Sequence, residues 1–310
     1  MQAIQKSLIK TLCYSDIFDY PLTLDEVFKY YLGTNKVSPL SIKEQLKTPL
    51  IIHKNGYYCL KGRENIIRER EKKENISNDK LKKAGKICGL LSYIPGIKLI
   101  GITGSLAMRN SSYNDDIDLF IITRKNTLWI VRFFVNVILI LIGEKRDRFG
   151  ITVRDKICPN MYISEDNLCF KGKNKNIFIA HEIVQMKILI NKENTYEKFI
   201  NSNIWILDFM KNCITLEKDN YNIKQQTKLT LLDEFLEKIN RILFNMQFLY
   251  MKNHITYEQV SSSIAKFHPK DKKSTYLKLY KSRVNNYVVG IGRSDKKGHK
   301  MGSKIYTLGH

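Results

Sequence analysis

No two cysteines in this 310-residue chain stand at Cys-x-x-Cys spacing, and none has a histidine at a metal-finger interval. The cysteines therefore argue against a zinc site. The six single cysteines, Cys13, Cys59, Cys88, Cys158, Cys169 and Cys213, fit a reducing cytoplasm rather than a disulfide framework. Long hydrophobic runs are missing too. The longest, Leu128 to Ile142, is 15 residues, contains Arg132 and Asn136, and falls short of the roughly 20 residues a bilayer span needs. It reads as a buried core helix, and no membrane partner is expected. Arg132 stands to reach a cleft or pair with a carboxylate. The first residues, Met1-Gln-Ala-Ile-Gln-Lys6, carry no signal-peptide hydrophobic region. Internal repeats and low-complexity tracts are absent.

Negative charge is scarce: 30 acidic residues face 52 Lys and Arg, a formal net charge of +22. The excess is uneven, since residues 264–310 hold 12 basic residues against 2 acidic ones. Such a stretch suits RNA or DNA phosphates, and equally a solvated helix face with a tail. Hydrophobic content of 43% is enough for packed cores, and the length allows two or three domains.

One run concentrates the chemistry. Ile97 to Thr103 is apolar and partly β-branched, bounded by Pro95-Gly96 and by Gly104, and predicts a buried strand. Gly104 allows a tight turn, and Ser105-Leu-Ala-Met-Arg109 opens a helical segment whose first N–H groups lack internal partners and can receive a phosphate. Ile117 to Ile122 predicts a second buried strand. Side chains alternate along a strand, so Asp116 and Asp118 project from one face. Two such carboxylates repel each other unless a cation lies between them, and oxygen donors suit magnesium on triphosphate oxygens. Arg109, one turn along, is positioned to neutralise phosphate charge. Asp115 reads as the end of the preceding loop.

Gly104-Ser105, a ten-residue spacer and then Asp116-Ile-Asp118-Leu on the next strand resemble the signature of the DNA polymerase beta-like nucleotidyltransferase superfamily. The motif covers Thr103 to Ile122, and the element order extends the match to residues 77–165. The resemblance implies that Gly104 and Ser105 hold a triphosphate, that Asp116 and Asp118 bind two Mg2+ ions, and that a nucleoside monophosphate passes to an acceptor hydroxyl. The family also carries a third carboxylate on a later strand. Here the next strand, Lys156 to Ile163, has Asn160 as its central polar residue, a poorer magnesium ligand and no base. Asp155, Glu165 and Asp166 are alternative donors if the register shifts, and each equally suits a turn.

The flanks suggest an α+β chain: a nucleotidyltransferase α/β domain with a small mixed sheet, an N-terminal winged helix and a C-terminal helical region. Residues 1–75 form the winged helix-turn-helix and a charged, solvated linker helix, 76–200 the nucleotidyltransferase domain, 201–288 a helical region, and 289–310 a mobile basic tail. In the first unit, Thr23-Leu-Asp-Glu26 is a capping box, Ser38-Pro39 starts a third helix, and Asn55-Gly56 marks a hairpin wing. In a DNA- or RNA-binding reading Lys43, Lys47 and Lys54 meet phosphates. A second amphipathic helix spans Asp79 to Tyr93. Ile177 to Ile190 reads as a helix carrying His181-Glu182 as an exposed pair. Leu229 to Met251 predicts a long helix with Leu232, Phe235, Leu236, Ile239, Ile242 and Leu243 inward. A polar stretch with Phe267-His268-Pro269 follows. From Thr275 to Tyr287 a basic helix carries Tyr276, Tyr280 and Tyr287 as a packing stripe or a base-stacking face. Two functions are thus in view: a magnesium-dependent nucleotidyltransferase, or a winged-helix nucleic-acid-binding regulator whose transferase-like domain holds nucleotide without catalysis.

Overall fold

The computed structural model describes residues 2–147, 153–213, 231–254, 259–267 and 272–289. His268-Pro269 and the expected tail from residue 290 onward lie outside these. The N-terminal part has the expected order: α1 (Ala3–Asp16), α2 (Leu24–Lys29), α3 (Pro39–Gln45), then the hairpin β1 (Ile51–Lys54) and β2 (Tyr57–Leu60). Local chemistry sets each boundary. Thr23 Oγ1 accepts from the Glu26 N–H at 3.3 Å while Glu26 Oε2 accepts from the Thr23 N–H at 2.8 Å, a reciprocal cap for α2. Asn55 and Gly56, at φ 51° and 80°, turn the hairpin in the left-handed conformation that this tight connection demands.

One helix, α4 (Asn65–Leu91), replaces the two expected over 63–93. Nor is its first half a solvated linker. Arg70 is only 4% exposed and forms ion pairs with Glu26 and Glu74. Ser77 and Lys80 are buried as well.

A six-stranded sheet follows, assembled from β3 (Ile97–Ile102), β4 (Ile117–Thr123), β5 (Ile157–Ser164), β6 (Lys187–Asn191), β7 (Gln259–Val260) and β8 (Ile264–Lys266). Its order is β6-β3-β4-β5-β8-β7, with β4 and β5 parallel and every other pair antiparallel. Between the strands run the single turn α5 (Gly104–Ala107), α6 (Leu128–Leu141), α7 (Ile177–Gln185), α8 (Thr195–Ser202) and α9 (Leu231–Met251), and α10 (Lys272–Val284) closes the described chain with a π turn.

Alternation along the strands divides the core in two. Ile97, Ile100, Ile102, Leu119 and Ile121 meet α4, α6 and α9, whereas Leu99, Phe120, Ile122 and Ile163 face α1, α7 and α8. A sheet covered on both faces needs continuous apolar strands, which is what β3 and β4 carry.

Three sequence expectations change here. The helix predicted over Ile177–Ile190 ends at Gln185, and the following residues form β6 on β3. On α9 Leu243 packs inward, but Phe235 and Ile242 are exposed. Instead α9 docks on α6 through polar caps: Asn240 Oδ1 accepts from the Trp129 N–H at 2.8 Å, and Gln247 Nε2 donates to the Trp129 carbonyl at 3.0 Å. The C-terminal region is not helical throughout, because the stretch beyond α9 supplies β7 and β8 to the sheet. No helix among the described residues is long and apolar enough to cross a membrane.

Candidate functional site

The site lies where β3 and β4 end beside one another. The Thr103 N–H donates to the Asp118 carbonyl at 3.1 Å, and the chain then turns at Gly104 with φ +67°. A Cβ on Gly104 would stand 3.1 Å from Asp118 Oδ2. Glycine is therefore needed twice, for its left-handed backbone and for the close approach to a carboxylate. Because α5 is only one turn, it offers outward N–H groups rather than a macrodipole. Ser105 is exposed, and its hydroxyl donates to Asp115 Oδ2 at 3.2 Å. The same oxygen accepts from the Ser112 N–H at 2.8 Å, so Asp115 closes the loop before β4. Arg109 lies beyond the helix end at φ 54°, exposed and away from the cavity wall.

Asp116 just precedes β4 and Asp118 lies within it, both half-buried. Across the parallel pairing Asp118 stands opposite Cys158 on β5. One ligand atom from each of Asp116, Asp118 and Cys158 falls within 4.8 Å of the others. Among the described residues this is the group of three that could hold a metal. Burial and the neighbouring Asp118 and Asp116 charges push the Cys158 thiol up to about 12.

The register slips between Leu119 and Phe120, leaving Asn160 as an extra residue on β5. Its Nδ2 donates to Asp118 Oδ1 at 2.6 Å. Arg146, in the loop after α6, brings Nη1 to 2.7 Å from Asp116 Oδ2, a contact of charge rather than an aligned hydrogen bond, and to 3.5 Å from the Cys158 sulfur. Burial works against the Arg146 charge, but Cys158 and the two carboxylates outweigh it and hold its pKa above the ordinary value.

None of the alternative third carboxylates reaches this corner. Asp155 forms ion pairs with Lys80 at 2.8 Å and Arg154 at 3.2 Å, Glu165 accepts from the Lys125 N–H at 3.0 Å, and Asp166 is an exposed turn residue. Arg132 also misses the cleft. It donates to Gln247 and lies against the Trp129 and Phe267 rings, where burial pulls its pKa below the ordinary value.

The corner opens into a cavity of about 980 Å³ with an aromatic wall, to which Tyr14 of α1, Phe18 in the turn after it, His181 of α7 and Tyr276 of α10 contribute. The expected exposed His181 is 2% exposed, its ring stacked on Tyr14 at 3.6 Å and 15°. Nδ1 donates to the Ile177 carbonyl at 2.9 Å, and burial lowers the pKa to about 4, so the ring is neutral at pH 7. Both tyrosines of α10 touch other rings, Tyr276 stacking on Phe178 while it lines the cavity and Tyr280 meeting the edge of Tyr14. Lys43, Lys47 and Lys54 are exposed and do not line the cavity.

Gly104, Ser105, Asp116 and Asp118 are thus gathered in one corner, while Arg109 and the three lysines stand apart. Arg146 and Cys158 were not foreseen. Cys158 had one available signal, its place two residues before Asn160 and hence on the same side of β5 before the slip. Arg146 had none, since its basic loop has no periodicity. Comparison with protein-family models, with curated proteins and with solved structures returned no match.

Proposed function

We propose that this chain is a metal-dependent nucleotidyltransferase that moves a nucleoside monophosphate from a nucleoside triphosphate to an acceptor hydroxyl, the hydroxyl oxygen bonding to the α-phosphorus as pyrophosphate leaves and the hydroxyl proton passes to solvent. One observation carries the reading: a small-residue turn, two carboxylates at ligand spacing and a ligand-sized cavity share a single corner. The cavity volume is at the upper end of small-molecule sites, roughly 300–1,000 Å³, which suits a nucleotide together with part of an acceptor.

In this scheme the outward N–H groups of Gly104 and Ser105 donate to phosphate oxygens. The Ser105 hydroxyl exchanges its bond to Asp115 for one to the triphosphate. Asp116 and Asp118 create the negative potential that draws a divalent cation into the corner. Such a cation supplies charge neutralisation on the phosphoryl group and activation of the acceptor hydroxyl. Two carboxylates fit this role, although the third nearby donor is sulfur and suits Mg2+ less than oxygen would. The aromatic wall offers apolar faces against which a base or ring can stack.

The test is incubation with each α-labelled triphosphate and a divalent cation, with and without RNA. Labelled product is expected from the wild type. Asp116→Asn with Asp118→Asn should reduce it by at least roughly 10²–10³-fold, the cost of removing one strong electrostatic stabiliser, with the melting transition retained. Undiminished transfer in the double variant would overturn the proposal. The competing reading, a nucleic-acid-binding regulator, rests on exposed Lys43, Lys47 and Lys54. It is favoured if duplex binding is salt-dependent, is lost when Lys43 and Lys47 are neutralised, and no triphosphate labels any product.

A further inference from the structure

We propose that Cys158 is the third ligand of the Asp116–Asp118 centre, and that its sulfur biases the centre toward a thiophilic or borderline divalent cation of the Zn2+ class over Mg2+. The inference uses the same corner as the proposed transfer but does not depend on that reaction taking place.

The backbone fixes the arrangement. Parallel pairing places Cys158 directly opposite Asp118, and the three ligand atoms of Asp116, Asp118 and Cys158 lie within 4.8 Å of one another. Asn160, two residues further along β5 and unpaired at the slip, reaches the same corner. Asn160 is 4% exposed, its Nδ2 holds Asp118 Oδ1 at 2.6 Å, and its Oδ1 has no hydrogen-bond partner although the residue lines the cavity. A buried amide oxygen without a partner is costly unless something fills the space before it. Meanwhile the amide nitrogen orients a carboxylate, as groups behind a metal ligand do.

The corner already accommodates positive charge. Arg146 Nη1 lies 2.7 Å from Asp116 Oδ2 and 3.5 Å from Cys158 Sγ, contacting two of the three donors at once. Its side chain is 39% exposed, so it can withdraw toward solvent when a cation takes its place.

Donor chemistry decides which cation. Magnesium takes an octahedral shell of oxygens and keeps much of its water, whereas a thiolate is a soft donor that zinc, cobalt and cadmium accept. Because Asp155, Glu165 and Asp166 all lie elsewhere, two oxygens and one sulfur make up the His/Cys/Asp/Glu donor set among the described residues.

The experiment uses the full chain, stripped of metal with a chelator and titrated with Cd2+ while the near-ultraviolet thiolate-to-cadmium absorption is followed. A saturable one-site signal is expected, persisting in excess Mg2+. Cys158→Ser should abolish that signal and weaken Cd2+ binding by at least the roughly 10–100-fold that losing an outer-shell partner costs. Asp116→Asn with Asp118→Asn should weaken it while leaving the thiol in place. Cys158→Asp, which makes all three donors oxygen, should lose the absorption and gain Mg2+ affinity, so the proposal remains testable if the serine variant fails to fold. An unchanged signal in Cys158→Ser would assign it to the other cysteines and overturn the proposal, as would displacement of Cd2+ from the wild type by equimolar Mg2+. Cadmium–thiolate absorption without transfer of any labelled nucleotide would sustain the metal assignment and sink the transferase. Transfer that requires Mg2+ and is indifferent to Cys158 would do the reverse.

Discussion

At Gly104 the left-handed backbone and a carboxylate oxygen make the same demand. A side chain there would hold φ +67° against its preference and place its Cβ 3.1 Å from Asp118 Oδ2. Gly104→Ala is therefore expected to cost about 1–3 kcal/mol, read as a lower denaturation midpoint with an unchanged slope. It should also weaken cation binding, because Asp118 must shift to make room. An alanine variant as stable as the wild type, with full metal affinity, would show that the approach is not binding. This residue was legible in the sequence along with Ser105, Asp116 and Asp118, because a turn glycine and an alternating acidic pair are local patterns. Cys158 and Arg146 complete the same corner through contacts 40 and 30 residues away from Asp118 and Asp116. Parallel pairing through a crossover leaves no local mark of the register that sets Cys158 opposite Asp118, nor of the slip just beyond it at Asn160.

Elements show the same division between local and distant causes. The caps of α2 and α3 and the Asn55-Gly56 hairpin were legible because each is decided within four residues. The interior of α4 was not. Its Arg/Glu pattern is that of a solvated helix, but Arg70 packs over the rings of Tyr20 and Tyr57, donates to the Pro21 carbonyl, and pairs with Glu26 44 residues earlier. Removing one partner from a buried pair strands the other, at a cost of about 3–5 kcal/mol. Arg70→Ala should show a loss of that order in chemical denaturation. Arg68→Ala, two positions away and exposed, should stay within about 0.5 kcal/mol of the wild type. Equal effects would mean that α4 is indeed an unanchored linker. β6 was misread for a related reason. Lys187 to Ile190 are all half-buried, without alternation, before the exposed Asn191, so only its pairing with β3 distinguishes the strand from a continuation of α7.

Across the whole molecule, the cavity exists because the N-terminal helices share a core with the sheet. Leu8, Ile9 and Leu12 of α1 belong to the same buried cluster as Phe120, Ile163 and Phe199. The seam is sealed by Tyr14 stacked on His181, by Tyr280 against Tyr14, and by Arg283 paired with Asp16 at 3.1 Å. His181 makes this seam sensitive to acid. Its pKa is lowered by burial from 6.5 to about 4, with the hydrogen bond to the Ile177 carbonyl opposing the shift. Tyr14 and Tyr30, the ionisable rings beside it, are driven by burial toward their neutral forms. Above pH 6.5 the imidazole is neutral in the folded and unfolded chain alike, and the stability of the seam is fully present. Below it the unfolded chain takes up a proton that the fold refuses until about pH 4. Stability then drains by roughly 1.4 kcal/mol per pH unit, on the order of 3 kcal/mol over the window. His181→Phe keeps an aromatic face against Tyr14 and removes the titration. Melting both proteins between pH 7 and pH 4.5 should show the wild type losing more stability than the variant, with the gap opening below pH 6.5. Parallel curves would mean that His181 is protonated in the fold without penalty, and that the wall facing Asp116 and Asp118 carries a positive charge.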